Sequence, residues 1–193
     1  MALPDSIETP RTLALRKIVE EADPEQMLGW AKPRDEDYAL FGKIIHMYST
    51  FDFILRYMAE TMDKQGMFKE PWAGKTQKLT MAQVAEAIQS SPIWTGSNKF
   101  ALEEIENYRR MRNLVAHFVV RRFPEDDAYV FMTKSAIDYR RVYGELPDGI
   151  DAMLFGVLEA EQLRGLVSVL KGLLKWAAEV LRDLSQPISP TAG

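Results

Sequence analysis

Apolar side chains recur along most of this chain at helical spacing, with one short region of strand-like character near the C-terminal third. From about Asp35 to Lys64 the positions Leu40, Ile44, Met47, Phe51, Ile54, Leu55 and Met58 fall three and four residues apart, which predicts a core-facing stripe on one long helix. Asp35, Glu36 and Asp37 put acid at its start, where the helix dipole favours negative charge, and Gly66 is a natural stop. A second helix is predicted from Asn98 to Arg122, closed by Pro124, and a third from Glu159 to Leu184 with an apolar stripe from Leu163 to Leu181. Thr80-Met81-Ala82-Gln83 has the form of a capping box and opens a short helix to about Gln89. Between the second and third long helices the period changes. Ala128–Thr133, Ile137–Tyr143 and Ala152–Val157 are short, rich in aromatic or β-branched residues and separated by turn residues, so they predict two or three small antiparallel strands.

The ends are weaker. Residues 1–34 carry Pro4, Pro10, Pro24 and Pro33 and are expected to form a loose arm, with a short helix over Thr12 to Ala22. Residues 187–193 are expected to be a disordered tail. The fold class that results is mainly α, one helical domain over residues 35–186, with a small antiparallel β insertion before the last helix.

Composition narrows the partners. A chain of 193 residues with 47% apolar and 27% charged residues can bury a core as an ordinary globular domain. Its net charge of −4 argues against coating nucleic acid with its whole surface, yet leaves room for a local basic groove around Arg109, Arg110, Arg112, Arg121 and Arg122. Without cysteine there is neither a disulfide nor a thiolate-bound metal. The start Met1-Ala2-Leu3-Pro4-Asp5 is not a signal peptide, and no apolar run reaches the roughly 18 residues of a membrane span, so no membrane partner and a cytoplasmic location are expected.

Most candidate chemistry yields to a plainer reading. Ala73-Gly74-Lys75-Thr76 looks like the end of a phosphate-binding loop, but Lys69 stands where the motif needs glycine and no strand precedes it, which leaves a surface turn. The two histidines, His46 and His117, have no second ligand at helical spacing, so no metal and no cofactor are expected. His46, among Ile44, Ile45, Met47 and Tyr48, reads as an ordinary helix histidine, and Glu125-Asp126-Asp127 as a solvated turn. The helix from Asn98 is different. It aligns Glu103, Glu106, Arg110, Asn113, His117 and Arg121 on one polar stripe, opposite Ile105, Tyr108, Met111, Val115, Phe118 and Val119. Arg112 lies about 140° around the helix from His117, so one straight helix does not easily aim both at one point. A distorted helix or two copies of the chain would be needed.

Arg112-Asn113-Leu114-Val115-Ala116-His117 resembles the Arg-polar-x-x-x-His signature of HEPN domains, the higher eukaryote and prokaryote nucleotide-binding family. Phe41-Gly42-Lys43-Ile44-Ile45 and Ser49-Thr50-Phe51-Asp52 are similar to the first long helix of many bacterial members, which often carry glutamate where this chain has Asp52. As a pattern the likeness extends over roughly residues 36–184, including the β insertion and the helix entered at Leu158-Glu159. It implies an up-and-down helical bundle that forms a homodimer and joins two such motifs in one cleft. Many members are metal-independent endoribonucleases, often toxins or antiviral effectors; others have lost catalysis. The resemblance implies His117 as the proton carrier, Arg112 as the phosphate clamp and Asn113 as an orienting or phosphate-binding group. Arg109, Arg110, Arg121 and Arg122 would attract the RNA backbone. An antitoxin or other protein partner is compatible with that reading. The alternatives are a catalytically inactive helical dimer that binds a protein or nucleotide, and a small-molecule enzyme with His117 as a lone acid/base.

Overall fold

The N-terminal segment begins as helix because Thr9 accepts a hydrogen bond from the Thr12 amide while Pro10 occupies the first turn, where no N–H partner is needed. In a computed structural model that describes residues 9–91, 94, 96–144, 146 and 153–186, the elements follow one another as α1 (Pro10–Glu21), α2 (Pro24–Leu28), α3 (Asp35–Lys64), a 3-10 turn (Thr76–Lys78), α4 (Met81–Gln89), α5 (Ser97–His117), β1 (Val119–Arg122), β2 (Ala128–Thr133), α6 (Ala136–Tyr143), β3 (Leu154–Glu159) and α7 (Ala160–Leu184). The protein is mainly helical, with a small antiparallel sheet before the last helix. No helix of the described residues is long and apolar enough to cross a membrane.

The described chain divides into two compact units. The first takes residues up to His46 and Asn107–Val169, and so holds α1, α2, the start of α3, the end of α5, the sheet, α6 and the start of α7. Its sheet has the order β1-β2-β3, antiparallel throughout, with Val119 opposite Met132 and Tyr129 opposite Leu158. The central strand is buried from Ala128 to Met132. Against it pack Leu15, Val19 and Met27, each 2% exposed, in one cluster with Phe123, Ala128, Val130, Met132 and Val157. The short helix expected over Thr12 to Ala22 is α1, but residues 10–28 form a packed layer and not a loose arm; the spacing of Leu15 and Val19 puts both on one helix face. Residues 1–8 and the tail 187–193 lie outside the described residues.

Two expected elements change. The helix predicted to reach Arg122 ends at His117, and Val119 to Arg122 pair with β2. The β-branched pair Val119 and Val120 fits a pleated edge better than a last helical turn. Ile137–Tyr143, expected as a strand, is α6: Ser135 caps the Asp138 amide, Tyr139 and Val142 bury one face, and Gly144 ends it at φ 83. The predicted strand at Ala152 is β3, running from Leu154, and Ala152 lies outside the described residues.

The second unit takes Met47–Glu106 and residues from Leu170 on. Its buried side chains include Tyr48, Phe51, Leu55, Met58 and Met62 of α3, Ile88 of α4, and Leu102 and Ile105 of α5. The capping box at Thr80 and Gln83 forms as its spacing predicts. The Gly74 amide donates to the Asp63 carboxylate and Lys75 pairs with Glu70 at 2.9 Å, so both anion-binding groups of that turn are already engaged.

Candidate functional site at the end of helix α5

The last turn of α5 buries Leu114 and Val115 and leaves its polar side chains outward, because only one face meets the apolar interior. His117 is the last helical residue and is exposed. The Arg112 Nη1 donates to Asn113 Oδ1 at 3.2 Å and lies 3.5 Å from His117 Nε2, the outer limit of a hydrogen bond. Arginine only donates, so in a hydrogen bond here Nε2 would be the acceptor. The rotation about the helix separates the Cβ directions of Arg112 and His117, but the long arginine side chain closes the gap. The three residues of the motif thus meet within one chain, without the distorted helix or second copy that the 140° separation suggested. Asn113 contacts the guanidinium and not the imidazole.

The four other arginines have different fates. Arg109 and Arg110 are half-buried on α5. Arg121 is tied down, its Nε donating to the Leu28 carbonyl at 3.0 Å and its Nη1 to the Val120 carbonyl at 2.9 Å. Arg122, expected to meet RNA, is 6% exposed. It donates to Asp37 at 2.6 Å and to Asp127 at 2.8 Å, and its guanidinium lies 5.3 Å from the centre of the Tyr129 ring. Its role is structural, since a buried, doubly paired guanidinium has no open face for a phosphate.

Around Arg122 a charge cluster is assembled from distant positions. Asp37 reaches back to the Arg34 amide at 2.7 Å, one half of a capping box at the start of α3, and accepts from the Tyr129 hydroxyl at 2.5 Å. Burial pushes the Asp37 carboxyl up, but the hydrogen bonds from Tyr129, Arg122 and the Arg34 amide outweigh it and leave it below the ordinary carboxylate range. The hydrogen bond from Arg164 holds Asp127 low as well, against the opposing effect of burial. Burial, with Asp37 alongside, raises the Tyr129 hydroxyl. Asp126 pairs with Arg11 at 2.8 Å, so the acidic turn is an ion-pair node and not merely solvated. A depression of about 780 Å³ opens over this cluster, but the buried groups within it are satisfied by one another.

A smaller recess of about 310 Å³ adjoins the motif, bounded by His117 with Leu28, Val119, Met132 and Met153. Thr133 and Lys134 stand at the same recess, and Lys134 is exposed. None of these neighbours of His117 was indicated by helical periodicity, because they come from α2, the sheet, the loop after β2 and the residue before β3. Among the described residues no group of three or more histidine, aspartate or glutamate side chains could hold a metal ion. Comparison with models of known protein families, with curated proteins and with solved structures finds no match.

Proposed function

We propose that the protein is a metal-independent endoribonuclease of the HEPN type, a homodimer that cleaves single-stranded RNA. The observation that carries this reading is the contact of Arg112 with both Asn113 and His117 at an exposed helix end. A phosphate arriving there would take the Arg112 guanidinium from the imidazole, freeing Nε2 for proton transfer. The 2′-hydroxyl attacks the adjacent phosphorus as its proton passes to His117, the 2′-oxygen–phosphorus bond forms, and the bond to the 5′-oxygen breaks. Arg112 stabilises the charge that gathers on the phosphoryl oxygens. The products are a 2′,3′-cyclic phosphate and a 5′-hydroxyl, and in the homodimer His117 of the second copy protonates the leaving oxygen. A role as a toxin or phage-defence effector, restrained by an antitoxin or other protein, suits such an activity.

The test is the rate of cleavage of several single-stranded RNAs in the presence of a chelator. His117→Ala should lower it by roughly 10²–10⁴-fold and Arg112→Ala by roughly 10²–10³-fold. Equal rates for the variants and the native chain would remove the basis of the proposal.

One observation favours a second reading, a catalytically inactive dimer that serves as a binding module. Phe53 and Tyr57, 70% and 49% exposed, stack at 6.5 Å on α3 and form an apolar surface suited to a partner. On that reading Phe53→Ser abolishes self-association and cellular activity, while His117→Ala changes neither.

A further inference from the structure

Beside the motif, the 310 Å³ recess is lined mainly by apolar side chains together with His117, Thr133 and Lys134. Leu28 and Val119 are 45% and 48% exposed, so two large aliphatic side chains face open space next to His117. Half-buried Met153 adds a thioether, which makes favourable contacts with aromatic rings, while Met132 behind it is 2% exposed and part of the core. Lys134 also lines the recess and Arg112 contacts His117, and among the described residues that line it none is acidic. In a chain of net charge −4, an apolar recess whose described lining holds a lysine and no acid, next to the Arg112 guanidinium, suits an anionic ligand with a flat apolar part. Its volume is near the lower end of small-ligand sites, roughly 300–1,000 Å³. That suits one ring system, not a helix or a folded partner.

We propose that this recess is a nucleobase subsite, holding the base of the nucleotide next to the phosphate that Arg112 grips, with Lys134 meeting a neighbouring backbone phosphate. The inference rests on the ribonuclease reading and deepens it, since it assigns the part of the RNA that fixes where the cut falls. The base lies between Leu28 and Met153, using apolar contact in place of aromatic stacking. Arg121 is a positioning residue for the subsite. Its Nε holds the Leu28 carbonyl at 3.0 Å, and the neighbouring Arg122 amide holds the Ala31 carbonyl at 2.8 Å, so the Leu28 wall is tied to β1.

The experiment compares short 2′-O-methyl oligoribonucleotides, which cannot be cut by 2′-hydroxyl attack, with otherwise identical oligonucleotides carrying one abasic position. Binding is measured for the native chain and for two variants at exposed positions, Val119→Trp, which fills the recess, and Leu28→Asp, which places an acid in its wall. Thermal unfolding shows whether each variant remains folded. The native chain should bind the base-bearing oligonucleotide at least about tenfold more tightly than the abasic one, and both folded variants should lose that difference. In parallel, cleavage maps of mixed-sequence RNA should show a base preference next to the cut that both variants erase. Equal binding of the two oligonucleotides by the native chain, or discrimination that survives in both variants, overturns the subsite. His117-dependent cleavage without discrimination leaves the ribonuclease standing and removes the subsite. Discrimination with RNA left intact supports a base-binding recess and removes the ribonuclease.

Discussion

Arg112 and Arg122 are ten positions apart in one arginine-rich stretch, yet they do opposite work. Arg112 ends at an exposed imidazole, whereas Arg122 is closed in by Asp37, Asp127 and Tyr129. Arg122→Ala leaves the Asp37 charge buried without its cation and should cost about 3–5 kcal/mol of stability, measured by denaturant unfolding. Arg112→Ala should leave stability nearly unchanged. The same cluster sets a pH dependence. Asp37 and Asp127 titrate below the ordinary carboxylate range when folded, so their contribution is complete above the unfolded value of about 3.9 and is lost as pH falls through the folded values. The melting temperature should therefore be level from neutrality down to about pH 5 and drop below about pH 4. In Asp37→Asn that acid-side drop should be shallower. Gly156 provides another residue-scale test, because a Cβ there would overlap the Tyr143 hydroxyl, which is buried without a hydrogen-bond partner among the described residues. Gly156→Ala should cost about 1–3 kcal/mol, and adding Tyr143→Phe should recover part of it in a double-mutant cycle.

At the scale of elements, α3 was legible from Asp35 to Lys64, since both the acid start and the apolar period point to the same helix. The end of α5 was not, because Val119 and Val120 continue a helical stripe on paper and only β2 makes them a strand. α6 carried a readable signal: Ser135 followed three residues later by Asp138 is a capping pattern, and its β-branched and aromatic content masked it. Pro10 and Pro24 mark helix starts, not looseness. Removing residues 1–28 would uncover Phe123, Val130 and Met132 and delete the Leu28 wall. The truncated chain should unfold at lower temperature and bind a hydrophobic dye, whereas a truncation that folds as well as the full chain would contradict the packed layer. Thr80→Ala, which removes the cap of α4, should cost only about 1 kcal/mol.

For the molecule as a whole, the residues of the motif could be named from the chain, but their mutual geometry could not. Helical angles describe where side chains leave the backbone; the reach of Arg112 decides where its charge ends. The recess was invisible because Leu28, Val119 and Met153 share no period and meet only through the sheet and its neighbours. The contact within one chain also distinguishes the two ways a homodimer could work. If Arg112 and His117 act in the same chain and His117 of the second copy is the acid, a mixed dimer of His117→Ala and Arg112→Ala chains keeps only one imidazole, so mixing equal amounts should restore no cleavage; if one Arg112 and one His117 across the pair suffice, mixing should restore it. The most direct measurement is of the ends left on a labelled single-stranded RNA incubated with the native protein and a chelator, identified by mass. The account predicts 2′,3′-cyclic phosphate and 5′-hydroxyl ends that disappear with His117→Ala and with Arg112→Ala. Intact RNA, or the same ends produced at the same rate by His117→Ala, would contradict it.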